Sequence, residues 1–389
     1  MPRPPGRSPA AAALHGSPYS TLLAKMGTHR GEVYPLHVGD TWRRAPEGGR
    51  PEELGRGIPG INRYTDVWGL PELRDAVAAR TRAGMNVETS VARGNVLVTG
   101  GATAGLMAAV GALVSPGEEV LLLAPRWPLI EGHVRMAGAT PVEVPLLLGD
   151  LSPESAVAAV EVHATERTVA LYLNTPNNPS GRLIPAASLA ALATWARRRD
   201  VWVFADEVYE DYAYAGPHAY AFSFAPERTI AAHSLSKAYG LAGARLGWLV
   251  GPEAALTEIV KFGAHTIYSA PTASQHAALL ILAGAGDSWV AEARAEYAAT
   301  GAEAARRLDV PAPEGGTFLF LDVADALDAR GLGGLLEDCA EEGLFLAPGP
   351  SFGPFPTHVR VCYTAVPPDV ALRGVDILAK RLRRVPKPL

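Results

Sequence analysis

The sequence of 389 residues predicts an α/β fold built around a mostly parallel β-sheet. From about residue 70 to 250, short apolar runs rich in Val and Leu alternate with Ala-rich stretches of helical character. This alternation is typical of parallel strands covered by helices on both faces. Unusual polar residues follow several of the apolar runs. Parallel sheets bind ligands beyond the carboxyl ends of their strands, so we expect a binding site along that edge.

Seven apolar runs predict the strands of this sheet. They lie, in chain order, at 95–99, 119–123, 141–145, 168–173, 201–205, 229–232 and 246–250. Helical stretches separate several of them, and the clearest span 103–113 and 189–199. The sheet is therefore expected to have seven strands flanked by helices.

The last part of the chain has a different pattern. A helix rich in Ala and Arg is predicted over 287–307, a strand at 317–323, a helix ending near Glu342, and strands near Leu344 and at 358–362. This α+β pattern predicts a smaller C-terminal domain over 296–389. We expect residues 1–45 to join that domain and residues 46–295 to form the large domain.

Composition excludes several classes of function. The chain is 48% hydrophobic and 19% charged, with a formal net charge of −5, and so lacks the basic balance that favours nucleic acids or anionic membranes. No apolar run approaches the roughly 18 residues that suggest a membrane span. The first 18 residues lack the continuous apolar core of a signal peptide. Cys339 and Cys362 form neither a disulfide framework nor a metal-binding spacing, which favours a reducing cytoplasm and no metal.

The segment 233–247 (HSLSKAYGLAGARLG) is the most informative motif. Lys237 follows the hydroxyls of Ser234 and Ser236, and Arg245 lies eight positions further on. A desolvated lysine reacts as a neutral amine with carbonyls, whereas hydroxyls and a guanidinium bind phosphate oxygens. This combination is what pyridoxal phosphate (PLP) requires, an imine at one end and a phosphate clamp at the other. The alternative is a surface lysine on a Gly-rich turn.

Other polar residues follow the predicted strands. Gly101-Ala102-Thr103 lies between a strand and a helix start, where an anion is favoured, although a simple tight turn has the same pattern. Asn178 lies in a loop dense in Asn, Pro and Gly. Asp206 and Tyr209 follow the strand 201–205, and a carboxylate there would keep a pyridine nitrogen protonated or merely cap a helix. Trp127 could stack on a planar ring or belong to the core.

Two further residues have a functional and a structural interpretation. Arg360 lies in a strand-like run, where an arginine needs a partner. It forms either an internal salt bridge or a bidentate contact with a substrate carboxylate. Tyr64, just before a predicted helix, is unremarkable by itself. Each motif has such an alternative, but their joint occurrence in this order favours the functional interpretation.

Together these motifs resemble a fold-type I, PLP-dependent aminotransferase of the class I/II group, from about His37 to Arg384. The resemblance implies that Lys237 forms the internal aldimine and shuttles the proton at the substrate α-carbon. It implies that Asp206 pairs with the pyridinium nitrogen, that Asn178 and Tyr209 bind the phenolic oxygen, and that Trp127 stacks on the ring. The phosphate would be bound by Gly101, Ala102, Thr103, Ser234, Ser236 and Arg245, together with Tyr64 of a neighbouring subunit.

The resemblance also implies a substrate site and an assembly. Arg360 would bind the α-carboxylate of an amino acid or a 2-oxo acid, with Gly39 and Asn178 nearby. Because the sites of this family lie between two subunits, a homodimer with shared active sites is expected.

The sequence departs from the family's dicarboxylate-specific members. Those members supply a second cation, often a lysine in the phosphate loop, where this chain has Thr103 or Ala104. An unpaired buried carboxylate would be costly, so strict aspartate specificity is disfavoured. Arg126 is the alternative source of that cation, although we expect it at the surface. Tyr34 and Trp42, flanking Gly39, are expected to line a pocket for an apolar or aromatic side chain.

We therefore expect an aminotransferase that moves the amino group of an aromatic or neutral L-amino acid to a 2-oxo acid by a ping-pong mechanism through the Lys237 aldimine. The alternative is a PLP-dependent lyase or oxidase on the same fold. The motifs do not separate these reactions, because all of them begin with the same complex of substrate and cofactor.

Overall fold

The computed structural model of the chain describes residues 6, 8–14, 25–54, 57–85 and 91–383. Arg384, at the end of the resemblance, and part of the 1–18 segment lie outside these residues. Among the helices described, none combines the length and the apolar character needed to cross a membrane.

A seven-stranded sheet lies at the centre of the larger part of the molecule. Its strands are β1 (Val96–Thr99), β2 (Glu119–Ala124), β3 (Thr140–Pro145), β4 (Thr168–Asn174), β5 (Trp202–Asp206), β6 (Thr229–Ser234) and β7 (Gly247–Val250). Their spatial order is β1-β7-β6-β5-β4-β2-β3. Only β7 runs against its neighbours, β1 and β6. The mostly parallel sheet is thus confirmed, and each predicted strand lies close to the observed one.

Helices cover this sheet and continue into the rest of the chain. They are α1 (Pro9–Ala12), α2 (Pro71–Met85), α3 (Ala102–Leu113), α4 (Pro128–Met136), α5 (Pro153–His163), α6 (Ala186–Arg199), α7 (Leu235–Ala238), α8 (Glu253–Ala264), α9 (Thr272–Leu280), α10 (Asp287–Leu308), α11 (Gly331–Glu341) and α12 (Pro368–Arg383). The helix predicted over 189–199 begins three residues earlier, directly after Pro185 in an extended conformation. It ends as predicted, because Asp200 adopts the left-handed conformation that stops a helix.

Both faces of the sheet are buried, in different cores. Along β2, Leu121 and Leu123 pack in one hydrophobic cluster, while Val120 and Leu122 pack in the cluster on the other face. Successive strand residues point to opposite faces, so an uninterrupted apolar run fills both cores. This burial explains why the strands were recognisable from the sequence.

A smaller antiparallel sheet lies in the C-terminal part. It consists of β8 (Phe318–Asp322), β9 (Ala347–Pro348) and β10 (His358–Cys362), with β10 in the middle. The strand predicted near Leu344 is instead a single bridge to Tyr34, because the chain pairs there with the N-terminal segment. Tyr34 and Leu36 pack in the same cluster as β8 and β10. The predicted boundary at residue 295 falls inside α10, and the division into domains stays a prediction.

Candidate active site

A cavity of about 460 Å³ opens beyond the carboxyl ends of β5 and β6. Most of the predicted site residues line it, and they come from distant parts of the sequence. They are Gly39, Ala102, Thr103, Trp127, Asn178, Asp206, Tyr209, Ser234, Ser236, Lys237, Arg245 and Arg360. Gly101 directly precedes the lining residue Ala102. Tyr64 is not among the lining residues, and its side chain is exposed.

Lys237 projects from the short helix α7, which begins at the end of β6. The Ser234 side chain caps this helix by accepting a hydrogen bond from the Ser236 amide at 3.0 Å. Lys237 Nζ donates to the Gly39 carbonyl oxygen at 2.5 Å. Burial lowers the pKa of Lys237, partly offset by Asp40. The site therefore favours the neutral amine that carbonyl chemistry needs.

The donors for a phosphate lie together at one end of the cavity. The first turn of the twelve-residue helix α3 contributes Ala102 and Thr103, where free amides and the helix dipole attract an anion. Ser234 and Ser236 contribute hydroxyls, whose oxygens lie 2.9 Å apart. The Arg245 guanidinium completes the set. A phosphate group fits this set of donors, which combines the positive charge of Arg245, two hydroxyls and a helix N-terminus.

Glycine keeps this end of the cavity open. Gly101 precedes α3 with a φ of 83°, and a Cβ there would lie 2.7 Å from Arg245 Nη2. A Cβ at Gly247 would lie 2.4 Å from the His233 carbonyl oxygen and 2.8 Å from the Ala102 nitrogen. The phosphate end can therefore form only because both positions lack a side chain.

A buried carboxylate, that of Asp206, also lines the cavity. Asp206 ends β5 and accepts a hydrogen bond from the Tyr172 hydroxyl at 2.8 Å. Burial raises the pKa of Asp206 to about 6, although the Tyr172 hydrogen bond opposes this shift. A protonated pyridine nitrogen is a suitable partner, since its charge would offset the cost of burying the carboxylate.

Asn178 and Tyr209 also line the cavity. The backbone N–H of Asn178 donates to Asn174 Oδ1 at 2.6 Å. The side-chain Nδ2 of Asn174 in turn donates to the Asp206 carbonyl oxygen at 2.8 Å. The loop is thereby tied to the end of β5. Tyr209 is buried with its ring edge-on to Phe318, and burial raises the pKa of its hydroxyl. It is therefore a hydrogen-bond donor at neutral pH.

Arg360 reaches the cavity from β10, the central strand of the small sheet. It is only 4% exposed, and its guanidinium lies between the rings of Phe318 and Phe352. Nη1 donates to Asn178 Oδ1 at 2.8 Å and Nη2 to the His37 carbonyl oxygen at 2.5 Å, while Nε has no hydrogen-bond partner among the described residues. A buried guanidinium with a free donor favours an anionic ligand.

Tyr64 does not reach the cavity of its own chain. Its side chain is 84% exposed and lies edge-on to Tyr268, with ring centroids 5.0 Å apart. Its predicted contact with the phosphate thus requires a second subunit.

Three sequence-based expectations were wrong. Arg126 is not at the surface, since it is 4% exposed and forms ion pairs with Glu131 and Glu143. Tyr34 does not line the cavity, because its ring packs in the small-sheet core and its hydroxyl donates to Glu32. Trp42 also points away from the cavity and donates to Glu296.

The cavity wall that the sequence did not reveal is mainly apolar. It is formed by Val38, Leu106, Pro128, Leu129 and Val208, with His37 beside them. Burial lowers the pKa of His37 to about 4, so its ring is neutral at neutral pH. Val38 directly precedes Gly39 and Leu129 lies two residues after Trp127, and this proximity in sequence was the available signal.

Known proteins share this sequence pattern and fold. The model of the family described as aminotransferase class I and II matches residues 50–378. A probable aspartate/prephenate aminotransferase of Thermus aquaticus is 32% identical over 370 residues, covering 90% of this chain and 87% of that protein. An arginine–pyruvate transaminase of Pseudomonas aeruginosa is 31% identical, covering 90% and 91%. Aspartate aminotransferase from Thermus thermophilus, solved with maleate, superposes with a TM-score of 0.88 and 28% identity, covering 97% and 100%.

Proposed function

Because the chain belongs to the class I and II aminotransferase family and is a PLP-dependent transaminase, we propose that it transfers the amino group of an aromatic or neutral L-amino acid to a 2-oxo acid by a ping-pong mechanism. One observation carries the proposal. Lys237, Asp206 and Arg360 converge on a single cavity, where they supply an amine, an anion and a carboxylate-binding cation.

In this proposal, some of the lining residues bind the cofactor and others act on the substrate. When bound, PLP supplies an electron-withdrawing ring that accepts the electron pair left at the substrate α-carbon. Asp206 would hold the ring nitrogen, Asn178 and Tyr209 the phenolic oxygen, and Trp127 one ring face. The Lys237 amine would then take a proton from the α-carbon and return one to the cofactor.

Arg360 would orient the substrate. A guanidinium binds a carboxylate through two parallel hydrogen bonds, which fixes the direction of the remaining bonds at the α-carbon. Arg360 would thereby determine which bond at the α-carbon is broken. Asn178 already accepts from Arg360 and keeps it aimed into the cavity.

The cavity wall supports a preference for uncharged side chains. Among the described lining residues, Lys237, Arg245 and Arg360 are the cations. In this proposal each of them would bind the cofactor or the α-carboxylate. We expect an acidic substrate to place its second carboxylate against Leu129 and Val38, where the described lining residues offer no further cation.

An absorbance titration of the PLP-loaded protein with a panel of L-amino acids, without added 2-oxo acid, tests the proposal. Conversion to the aminated cofactor by aromatic or neutral donors, and weakly by aspartate, is expected. Aspartate as the best donor would overturn the preference and leave transamination standing. Ammonia release without an acceptor would favour the lyase or oxidase alternative.

A variant sharpens the test of the side-chain preference. Leu129→Lys adds a cation to the cavity wall and should raise kcat/KM for aspartate relative to phenylalanine by about tenfold, or about 1.4 kcal/mol. Leu280→Lys, at another partly exposed leucine, is the matched control and should leave the ratio unchanged. An unchanged ratio in Leu129→Lys would mean that the substrate side chain lies elsewhere.

We also propose that the enzyme is a homodimer whose partner supplies Tyr64, and that it works in the cytoplasm. Tyr64, Tyr268 and Ile267 expose large apolar surface beside the phosphate end, which favours an interface. Both cysteines are buried and unpaired, as suits a reducing compartment. A monomer in sedimentation equilibrium, or normal PLP affinity in Tyr64→Phe, would contradict the shared site.

A further inference from the structure

Behind the cavity, on the opposite face of the sheet, lies a buried cluster of charged residues. Asp206 and Ser234 line the cavity, and alternation along β6 directs His233, the neighbour of Ser234, to the other face. Glu207 directly follows β5 and lies beside His233. His233 Nε2 lies 3.6 Å from Glu207 Oε2, and its Nδ1 lies 3.3 Å from Glu210 Oε2. The imidazole therefore bridges two carboxylates directly behind the site.

The cluster needs positive charge to balance its carboxylates. Glu207, Glu210 and Asp211 are largely buried, and Arg80 contacts only the latter two. Arg80 Nη2 lies 2.8 Å from Asp211 and 3.4 Å from Glu210. Glu207 Oε1 accepts a hydrogen bond from the Ala221 backbone amide at 2.8 Å. A single guanidinium cannot neutralise three buried carboxylates, so positive charge beside Glu207 has to come from histidine.

Other groups complete the surroundings of His233. His218 Nε2 lies 3.6 Å from Glu207 Oε1, whereas His233 is near the other carboxylate oxygen, Oε2. Trp248 stacks against the His233 ring at 6.0 Å, and Tyr220 lies at 6.3 Å. Burial alone would lower the pKa of His233, but the nearby Glu210 and Glu207 carboxylates have the larger effect and raise it. The imidazolium form is thus favoured.

Glu207 joins this cluster to the cavity, since it follows Asp206 directly. Its amide donates to the Ala232 carbonyl oxygen at 2.9 Å, which links the ends of β5 and β6. A Glu207 carboxylate without a counterion would repel the Asp206 carboxylate and favour protonated Asp206. Protonated Asp206 could not pair with a pyridinium nitrogen.

We propose that His233 is a positioning residue that, as an imidazolium between Glu207 and Glu210, keeps Asp206 ionised for the pyridinium nitrogen of PLP. The proposal rests on the proposed function only in requiring PLP in the cavity. His233 is not among the residues that line the cavity, and its charge would act on Asp206 both directly and by offsetting the charge of Glu207.

The test compares PLP dissociation constants of the full-length protein, together with the pH dependence of the absorbance band of lysine-bound PLP. His233→Gln removes the charge and should weaken PLP binding about tenfold, equivalent to one unit in the pKa of Asp206. The band should also change its pH profile. His163→Gln, at the end of α5, is the control and should change neither property.

A double variant separates charge from packing. Glu207→Gln with His233→Gln removes both members of the pair and should bind PLP within about threefold of wild type, because charge balance returns. If His233→Gln alone does not fold, the PLP affinity of this double variant still tests the proposal. A double variant that binds tenfold more weakly, or a His233→Gln variant with normal binding, would overturn the proposal. If no amino acid aminates wild-type PLP, the transaminase proposal fails, while the effect of His233 on PLP affinity stands.

Discussion

Replacing Asp206 by Asn should affect the empty and the loaded enzyme in opposite directions. In the cofactor-free protein, the Asp206 carboxylate is buried, and burial raises its pKa to about 6 from an ordinary value of 3.8. Ionising it there costs free energy that an amide of the same shape avoids. In the loaded enzyme, we propose that the same carboxylate pairs with a pyridinium, and an amide would not supply that negative charge.

The raised pKa gives the size and the sign of the first effect. A carboxyl with a raised pKa in the folded state stabilises the fold fully below its unfolded pKa and loses that stabilisation as pH rises through the folded pKa. The loss therefore develops between about pH 4 and pH 6. A shift of about two units corresponds to about 3 kcal/mol, taken as an upper limit because the surroundings relax.

Urea unfolding of the cofactor-free proteins at pH 4 and pH 8 measures this effect. Asp206→Asn should be more stable than wild type by about 2 kcal/mol at pH 8 and close to wild type at pH 4. The loaded variant should bind PLP about 30-fold to 100-fold more weakly, since a charge-assisted hydrogen bond is worth about 2–3 kcal/mol. Asp325→Asn, at an exposed aspartate, is the control for both measurements.

The reasoning fails if the cofactor-free variant is no more stable than wild type at pH 8. It also fails if a stability difference is the same at both pH values, because the carboxylate would then not be its source. Unchanged PLP affinity would instead place the ring nitrogen away from Asp206.

Three further substitutions test other parts of the site. Lys237→Ala should bind PLP only noncovalently and abolish turnover, and borohydride reduction followed by mass spectrometry detects the missing covalent link. Arg360→Lys should lower kcat/KM about 100-fold at unchanged PLP affinity in steady-state assays, because an ammonium cannot bind a carboxylate bidentately. Gly247→Ala should destabilise the fold by about 1–3 kcal/mol in urea titrations, since its Cβ would meet the His233 oxygen and the Ala102 nitrogen.

The sequence predicted the strands and the residues at their ends because both are local features. A run such as Val120 to Leu123 is recognisable by itself, and Asp206 follows its strand directly. The order of motifs along the chain then located Asn178 and Lys237 at the same edge. Each of these inferences used only neighbouring residues and one rule of sheet topology.

The wall of the cavity depends on contacts between distant segments, and the sequence could not reveal it. Val38 meets the site because Arg360 and Lys237 bind the backbone oxygens on either side of it. Arg126 appeared to be a surface cation because its partners, Glu131 and Glu143, lie on α4 and β3. The sequence showed that Arg126 is a cation, but it did not show which carboxylates form ion pairs with it.

In this proposal, Asp206 on the cavity side of β5 and His233 on the opposite side of β6 affect PLP binding through the same charge. The effects of their substitutions on PLP affinity should therefore not add. His233 acts on PLP only through the charge of Asp206, according to the proposal above. Once Asp206 is replaced by Asn, no carboxylate is left for the cluster to regulate. The Asp206→Asn/His233→Gln double variant should therefore bind PLP about as tightly as Asp206→Asn alone, whereas a further tenfold loss would mean that His233 supports the site by packing.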